Sequence, residues 1–128
     1  MKYMLDTNVF LWLIEDNPKL TQKVRRKFTH PKNTIYLSIV SLWEIAIKTN
    51  IGKLKLEDPF SVFIDKYVFE NYIEILDLKI DHIKQFKELE YYHKDPFDRT
   101  IIAQSISEDI SLIASDKIFS KYPVKVLW

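Results

Sequence analysis

The stretch that decides the fold is Lys2-Tyr3-Met4-Leu5-Asp6-Thr7-Asn8, which runs directly into Val9-Phe10-Leu11-Trp12-Leu13-Ile14. The first apolar run predicts a buried strand and the second predicts a helix, with Asp6 at their junction. In open α/β sheets the ligand site lies outside the carboxyl ends of the strands. Asp6 therefore occupies a position where such a fold places its chemistry, although capping of the following helix would explain the same residue.

The composition leads us to expect a soluble cytoplasmic protein that folds as one domain over residues 1–128. Apolar residues make up 47% of the chain, which is enough for a core, and there is no cysteine for a disulfide scaffold or a thiolate metal site. The apolar runs are too short to span a bilayer, and the start of the chain makes a poor signal peptide. The net charge of +1 gives no global attraction to nucleic acid, so RNA binding would rest on local patches.

Strand and helix patterns alternate along the whole chain. The only glycine, Gly52, follows one helical pattern and fits the residue just beyond a helix C-terminus. Further strand patterns cover residues 34–38, 72–78, 111–115 and 124–128, and further helical patterns cover 21–30, 39–50, 81–92 and segments that begin near Pro59 and Pro96. Strands that alternate with helices in this way predict an α/β protein with a parallel sheet.

Four acidic residues occur where a parallel sheet would gather them at its carboxyl edge. Asp6 and Asp116 each follow a predicted strand, Glu44 lies on the helix after the second strand, and Asp98 starts a helix. Carboxylates brought together repel one another and raise each other's pKa, so a divalent cation inside the cluster would stabilise it. All-oxygen ligation favours magnesium or manganese over zinc, and acidic magnesium sites serve phosphoryl chemistry.

Some of these residues also have purely structural interpretations. Glu44 could lie on an exposed stripe or pair with Lys48 four residues later. One of Asp95 and Asp98 could cap the helix that follows them, although capping does not need both. His93 has no second histidine at ligand spacing, which favours a packing or surface role over metal ligation.

Two helical patterns offer surfaces whose role the sequence leaves open. The helix from Thr21 to His30 has a basic outer face, which is either a solvated surface or an RNA-binding patch. Trp12, Trp43 and the apolar stripe of Phe60–Val68 either pack in the core or form a groove for a partner.

The acids in their local contexts resemble the PIN domain, the ribonuclease fold of VapC-type toxins in bacterial and archaeal toxin–antitoxin pairs. The resemblance implies an α/β fold of three layers, α/β/α, with a central parallel sheet of four to five strands. Between Gly52 and Tyr92 only the helix–strand–helix rhythm matches. The matching segments are Leu5-Asp6-Thr7-Asn8-Val9, Ser38-Ile39-Val40-Ser41-Leu42-Trp43-Glu44-Ile45, His93-Lys94-Asp95-Pro96-Phe97-Asp98-Arg99 and Ala114-Ser115-Asp116 with Phe119 after it.

The resemblance implies a Mg²⁺- or Mn²⁺-dependent endoribonuclease that cleaves single-stranded RNA and leaves 5′-phosphate and 3′-hydroxyl ends. Asp6 and Asp98 would bind the metal directly, Glu44 would bind it directly or through water, and Asp116 would complete the site or hold a second ion. A homodimer is also implied, neutralised by a small antitoxin protein that places a segment in the active groove. The residues expected to support the acids or to contact phosphate are Thr7, Asn8, Ser115, Asp95 and Arg99.

Other classes of protein fit the sequence less well. A non-catalytic PIN-like module that binds protein or RNA would be expected to have lost at least one acid, and here the set of four is intact. A phosphatase of the dehalogenase type would carry Asp where Asn8 stands. A receiver domain would place a second acid beside Asp6, which has none, although Asp77 lies near the position of its phosphorylated residue.

Overall fold

The centre of the fold is a five-stranded sheet whose neighbouring strands are all parallel, in the order β3-β2-β1-β4-β5. A computed structural model describes residues 1–128. The predicted α/β fold with a central parallel sheet is confirmed. The strands are β1 (Lys2–Leu5), β2 (Thr34–Ser38), β3 (Glu74–Leu76), β4 (Ser111–Ile113) and β5 (Val126–Leu127).

Six α-helices connect and cover the strands, and none of them is long and apolar enough to cross a membrane. The fourth helix continues as π-helical turns over Asp65–Phe69, and a 3₁₀ turn over Lys117–Lys121 precedes β5. The helices are α1 (Thr7–Ile14), α2 (Gln22–Thr29), α3 (Ile39–Asn50), α4 (Phe60–Ile64), α5 (Ile80–Glu88) and α6 (Pro96–Glu108).

The three layers follow from the alternation of side chains along the central strand. On β1, Tyr3 and Leu5 enter one apolar core and Met4 enters the other, as the two-residue period of a strand requires. Side chains of α1, α2, α3 and α4 pack in the first core, and those of α6 with Val40 of α3 pack in the second. Because β1 is covered on both faces, it reads as a continuous apolar run rather than an alternating one.

Helix α3 shows how local sequence sets the ends of an element. The Ser38 hydroxyl accepts a hydrogen bond of 3.1 Å from the backbone N–H of Val40 and caps the N-terminus. At the other end Gly52 has φ +76°, and the N–H of Lys53 donates back to the carbonyl of Lys48 over 2.9 Å. This is the glycine C-terminal motif that the sequence predicted at Gly52.

Several predicted boundaries were too long, for reasons that lie outside the local sequence. The predicted strand over 72–78 starts only at Glu74, because Tyr72 takes the left-handed conformation with φ +58°. The predicted helix over 81–92 ends at Glu88, since Leu89 is extended with ψ 139° and the following loop turns towards α6. Proline favours the first position of a helix, which predicted a helix that starts with Pro59, but Pro59 instead precedes α4 as its capping residue.

Candidate active site

Asp6 lies at the point where the strand order of the sheet reverses. β1 pairs with β2 on one side and with β4 on the other, and the backbone N–H of Asp6 donates to the carbonyl of Ile113 over 3.0 Å. Such a switch point opens a crevice at the carboxyl ends of the strands. Asp6 is only 3% exposed and precedes α1, but its side chain makes no capping hydrogen bond. Capping therefore does not account for the carboxylate.

The residues after Asp6 connect α1 to α3. The hydroxyl of Thr7 donates to that of Ser41 over 2.8 Å, and both side chains are buried. Asn8 is exposed in the first turn of α1. Ser41 was not recognised from the sequence, although it stands three residues before Glu44 and therefore on a neighbouring part of the same helix surface. The Thr7–Ser41 bond fixes the distance between the elements that carry Asp6 and Glu44.

Glu44 points into the protein from α3 and is 7% exposed, so its placement on an exposed stripe was wrong. The alternative pairing is present, because Oε2 of Glu44 lies 2.9 Å from Nζ of Lys48. The other carboxylate oxygen, Oε1, is buried and has no hydrogen-bond partner. An unpaired buried oxygen is costly, so Oε1 is an open position for a donor or a cation.

At the start of α6 the two neighbouring acids have different roles. Oδ1 of Asp95 accepts from the backbone N–H of Asp98 over 3.0 Å, so Asp95 is the cap and the Asp98 carboxylate is not used for capping. Oδ2 of Asp98 lies 2.8 Å from Nε2 of His93, although this contact is not aligned as a hydrogen bond. His93 also packs its ring edge-to-face on Phe119, as the packing interpretation predicted.

Three of the four predicted acids lie close enough for their charges to change one another's pKa. Burial raises the pKa of Asp6 to about 7, with further increases from the charges of Asp98 and Glu44, and the nearby backbone amides oppose the shift. Burial also raises the pKa of Asp98 to about 6, aided by the charge of Asp95 and opposed by His93. The structure therefore brings Asp6, Glu44 and Asp98 together, with Asp95 beside them.

Asp116 and Ser115 follow β4 at the same edge of the sheet but do not join this cluster directly. Asp116 is exposed, and its Oδ1 accepts from the backbone N–H of Ile118 over 3.0 Å, which caps the 3₁₀ turn. It makes no hydrogen bond to Asp6, Glu44 or Asp98. Ser115 is half-buried next to it. The cap uses only Oδ1 of Asp116, so Oδ2 is left without a hydrogen bond.

Arg99 is buried, and its contacts favour a supporting role over contact with phosphate. Its guanidinium lies 4.9 Å from the ring centroids of both Phe86 and Tyr91, and Nη1 donates to the carbonyl of Glu90 over 3.0 Å. Tyr122, which the sequence did not single out, accepts hydrogen bonds at its hydroxyl from the backbone of the same loop. Together these contacts hold the loop that leads into α6 and hence Asp98.

The donor chemistry of this cluster fits a hard divalent cation. The carboxylates supply only oxygen ligands, and one oxygen of Glu44 is buried without a partner. Burial, and after it repulsion between the acids, raises the pKa of Asp6 and Asp98, an effect that a bound cation would oppose. No three His, Asp or Glu side chains converge closely enough to ligate one ion as they stand. Ligation therefore requires side-chain rotation, which is expected of carboxylates that repel one another in the absence of a cation.

The fold and this cluster define the class as a parallel α/β domain with an acidic site at its carboxyl edge. The chain belongs to the PIN domain family, whose model matches residues 3–125. PIN domains are generally nucleases and generally use divalent metal ions. No curated protein matches the sequence.

Solved structures with the same fold come from bacterial toxin–antitoxin complexes. The chain is similar to one in VapBC2 from Rickettsia felis bound to promoter DNA, with 22% identity, TM-score 0.75 and coverage of 99% of this chain and 98% of that one. It is also similar to a chain of DNA-bound VapBC from Salmonella typhimurium, with 17% identity and a TM-score of 0.73 over 99% of this chain and 97% of that one. A chain of FitAcB from Neisseria gonorrhoeae matches with 16% identity and a TM-score of 0.69 over 98% of this chain and 96% of that one. At these identities the likeness establishes the fold.

We expect the stability of the chelator-treated protein to depend on pH through Asp6. Its folded pKa of about 7 exceeds the ordinary value of 3.8, so its contribution is fully present below pH 3.8 and is lost as pH rises through 7. The loss is at most about 4 kcal/mol, since one pKa unit is worth about 1.4 kcal/mol. Urea unfolding in EDTA across this window should show a steeper loss for the wild type than for Asp6→Asn, which keeps only the smaller contribution of Asp98, whose pKa is raised to about 6.

Asp81 is exposed in the first turn of α5, which makes Asp81→Asn the matched control for the same change of charge. That variant should keep the pH dependence of the wild type. If the wild-type and Asp6→Asn curves run parallel between about pH 4 and pH 8, the carboxylate is not held in the environment that the structure shows.

Proposed function

We propose that this protein is a Mg²⁺- or Mn²⁺-dependent endoribonuclease that hydrolyses phosphodiester bonds of single-stranded RNA, and that it is the toxin of a toxin–antitoxin pair. The observation that carries the proposal is the cluster of Asp6, Glu44 and Asp98 at the switch point of the sheet. Membership of the PIN domain family supports a nuclease. A bound divalent ion supplies water activation and neutralises charge that develops on the phosphate.

In this proposal the acids hold the ion from three different elements. Asp6 and Asp98 would bind it directly, and Glu44 would offer its unpartnered Oε1 directly or through water. Asp116 would complete the site or hold a second ion through Oδ2, the oxygen that its cap does not use. Because Asp95 already caps α6, Asp98 can turn towards the ion without loss of the helix start.

The remaining polar residues of the site would hold the substrate or the acids in place. Thr7 is committed to Ser41 and therefore positions α1, whereas Asn8 and Ser115 make no side-chain hydrogen bond and are free to contact a phosphate. Lys48 is partly exposed and pairs with Glu44. Its ammonium would be the nearest cation to a phosphate bound beside Glu44 and could donate hydrogen bonds to a phosphate oxygen of the RNA.

An antitoxin partner is supported by the structural neighbours, which are toxin–antitoxin complexes, and by an apolar groove in this chain. We assign the groove to an apolar antitoxin segment, and a homodimer belongs to the same proposal. Trp12 packs on Trp128 at 5.7 Å between ring centroids, so it is in part a core residue. The groove has a volume of about 280 Å³, and four charged side chains, Glu15, Lys55, Glu57 and Asp58, line it beside its apolar ones. The apolar lining consists of Leu11, Ile14, Leu54, Leu56, Phe63 and Tyr67.

The direct test uses total bacterial RNA, since the target is unknown. We expect the purified protein with Mg²⁺ to generate new 5′-phosphate ends in single-stranded regions, because activated water rather than a ribose hydroxyl attacks the phosphorus. Adapter ligation without prior phosphorylation, followed by sequencing, detects such ends. Cyclic phosphate ends would contradict the metal-assisted hydrolysis, and RNA binding with no cleavage under any divalent ion would favour the non-catalytic module.

A further inference from the structure

One exposed and one half-buried aromatic ring, Trp43 and Phe97, directly precede two of the acids in the chain. Trp43 is 59% exposed on α3 and directly precedes Glu44, while Phe97 directly precedes Asp98 in the first turn of α6. Their ring centroids are 5.2 Å apart with an interplanar angle of 84°, an edge-to-face contact. The two helices that bring a carboxylate each into the cluster thus also bring an aromatic ring each to its rim.

The exposure of Trp43 is not explained by the packing of the fold. The other two tryptophans, Trp12 and Trp128, are half-buried against each other. An edge-to-face contact uses only part of each ring, so most of the indole surface remains open to solvent. The contact with Phe97 nevertheless limits the motion of the indole, so the open ring surface is largely pre-organised.

We infer that Trp43, supported by Phe97, is a stacking platform for one unpaired base of the RNA next to the cleaved phosphate. This inference rests on the proposed function. Single-stranded nucleic acids bind by stacking bases on aromatic side chains while cations follow the backbone. Lys48 lies one turn after Glu44, and Lys94 is exposed in the loop before α6. Both lysines lie on the chain segments that carry the two rings, and in this proposal they contact backbone phosphates of the bound RNA.

The size of the platform argues against a protein occupant. A buried aromatic side chain contributes about 150–250 Å². Two such rings therefore offer at most roughly 500 Å², whereas a stable protein interface buries about 800 Å² on each partner. The same area is enough for a single nucleobase, which stacks on the face of one aromatic ring and does not need further apolar residues around it. A second copy of this chain is the alternative occupant that the experiment must separate from RNA.

The test measures binding in an Asp6→Asn background, so that the RNA is not cleaved. The probes are single-stranded 12-nucleotide RNAs that carry 2-aminopurine at one position each. We expect one position to be quenched on binding, and Trp43→Ala to remove the quenching and weaken binding by about tenfold or more. Trp43→Phe should retain most of the affinity. Tyr72, which is 90% exposed on another surface, provides the matched control Tyr72→Ala, with unchanged binding.

A second perturbation shows whether the base itself is what Trp43 holds. An abasic site at the quenched position should weaken binding to the Asp6→Asn protein as much as Trp43→Ala does, and the two changes together should cost no more than one. Unchanged RNA affinity of Trp43→Ala would overturn the platform. Conversion of a dimer to a monomer by Trp43→Ala, seen in sedimentation, would assign the rings to a second copy instead.

Failure of the platform and failure of the ribonuclease proposal are distinguishable. Cleavage by the wild type with Mg²⁺ tests the nuclease and does not depend on Trp43. If cleavage occurs but Trp43→Ala binds normally, only the platform is wrong. If the wild type never cleaves but 2-aminopurine is quenched through Trp43, the platform stands and the enzyme proposal falls.

Discussion

Asp6→Asn is expected to lower the rate of RNA cleavage by about a hundredfold or more while the fold remains intact. The side chain lies in the crevice where the strand order reverses and is almost fully buried. Losing its charge removes a ligand of the proposed ion. The fold should survive, because Asp6 makes no capping hydrogen bond that Asn could lose, and because a carboxylate with a raised pKa is itself a source of repulsion. Single-turnover cleavage at saturating protein measures the change.

The control for this prediction is Asp81→Asn, which removes an exposed carboxylate without touching the cluster and should cleave at the wild-type rate. In cells, expression of the wild type alone should arrest growth, and Asp6→Asn at an equal protein level should not. Growth arrest by soluble Asp6→Asn protein would mean that toxicity comes from binding. Wild-type cleavage by that variant would exclude Asp6 from the reaction.

Removal of divalent ions is expected to have an effect of similar size. In excess EDTA the rate should fall to background, and addition of Mg²⁺ or Mn²⁺ should restore it, since the cluster offers carboxylate oxygens and no sulfur ligand. Ion binding should also stabilise the folded protein, by roughly 2.7 kcal/mol when the free ion is at a hundred times its dissociation constant. Thermal unfolding with and without Mg²⁺ measures this separately from activity.

The stabilisation by Mg²⁺ should be much smaller in Asp6→Asn and unchanged in Asp81→Asn. This comparison links the ion to the cluster and not to the general surface of the protein. Undiminished cleavage in excess chelator would end the metal mechanism. An equal rise in the unfolding temperature of the wild type and Asp6→Asn would place the ion elsewhere.

The sequence by itself determined the class of fold and the order of the candidate acids. Apolar runs of strand length separated by helical periods predicted a parallel α/β sheet, because burial on both faces of a strand requires such runs. The position of Asp6 after the first strand and the cap at Gly52 also followed from local patterns. These features depend on residues close together in the chain, so that hydrophobic period and backbone preference suffice to predict them.

Only the tertiary structure decided which acids cap a helix or turn and which are buried in the cluster. Asp95 rather than Asp98 caps α6, and Glu44 is buried while it still pairs with Lys48. Asp116 caps the 3₁₀ turn that follows it. Arg99, whose neighbours in sequence suggested a site residue, is enclosed by two aromatic rings. Burial and charge at these positions are set by elements far apart in the chain, and the pKa of a carboxylate depends on what packs around it. A linear pattern does not contain that information.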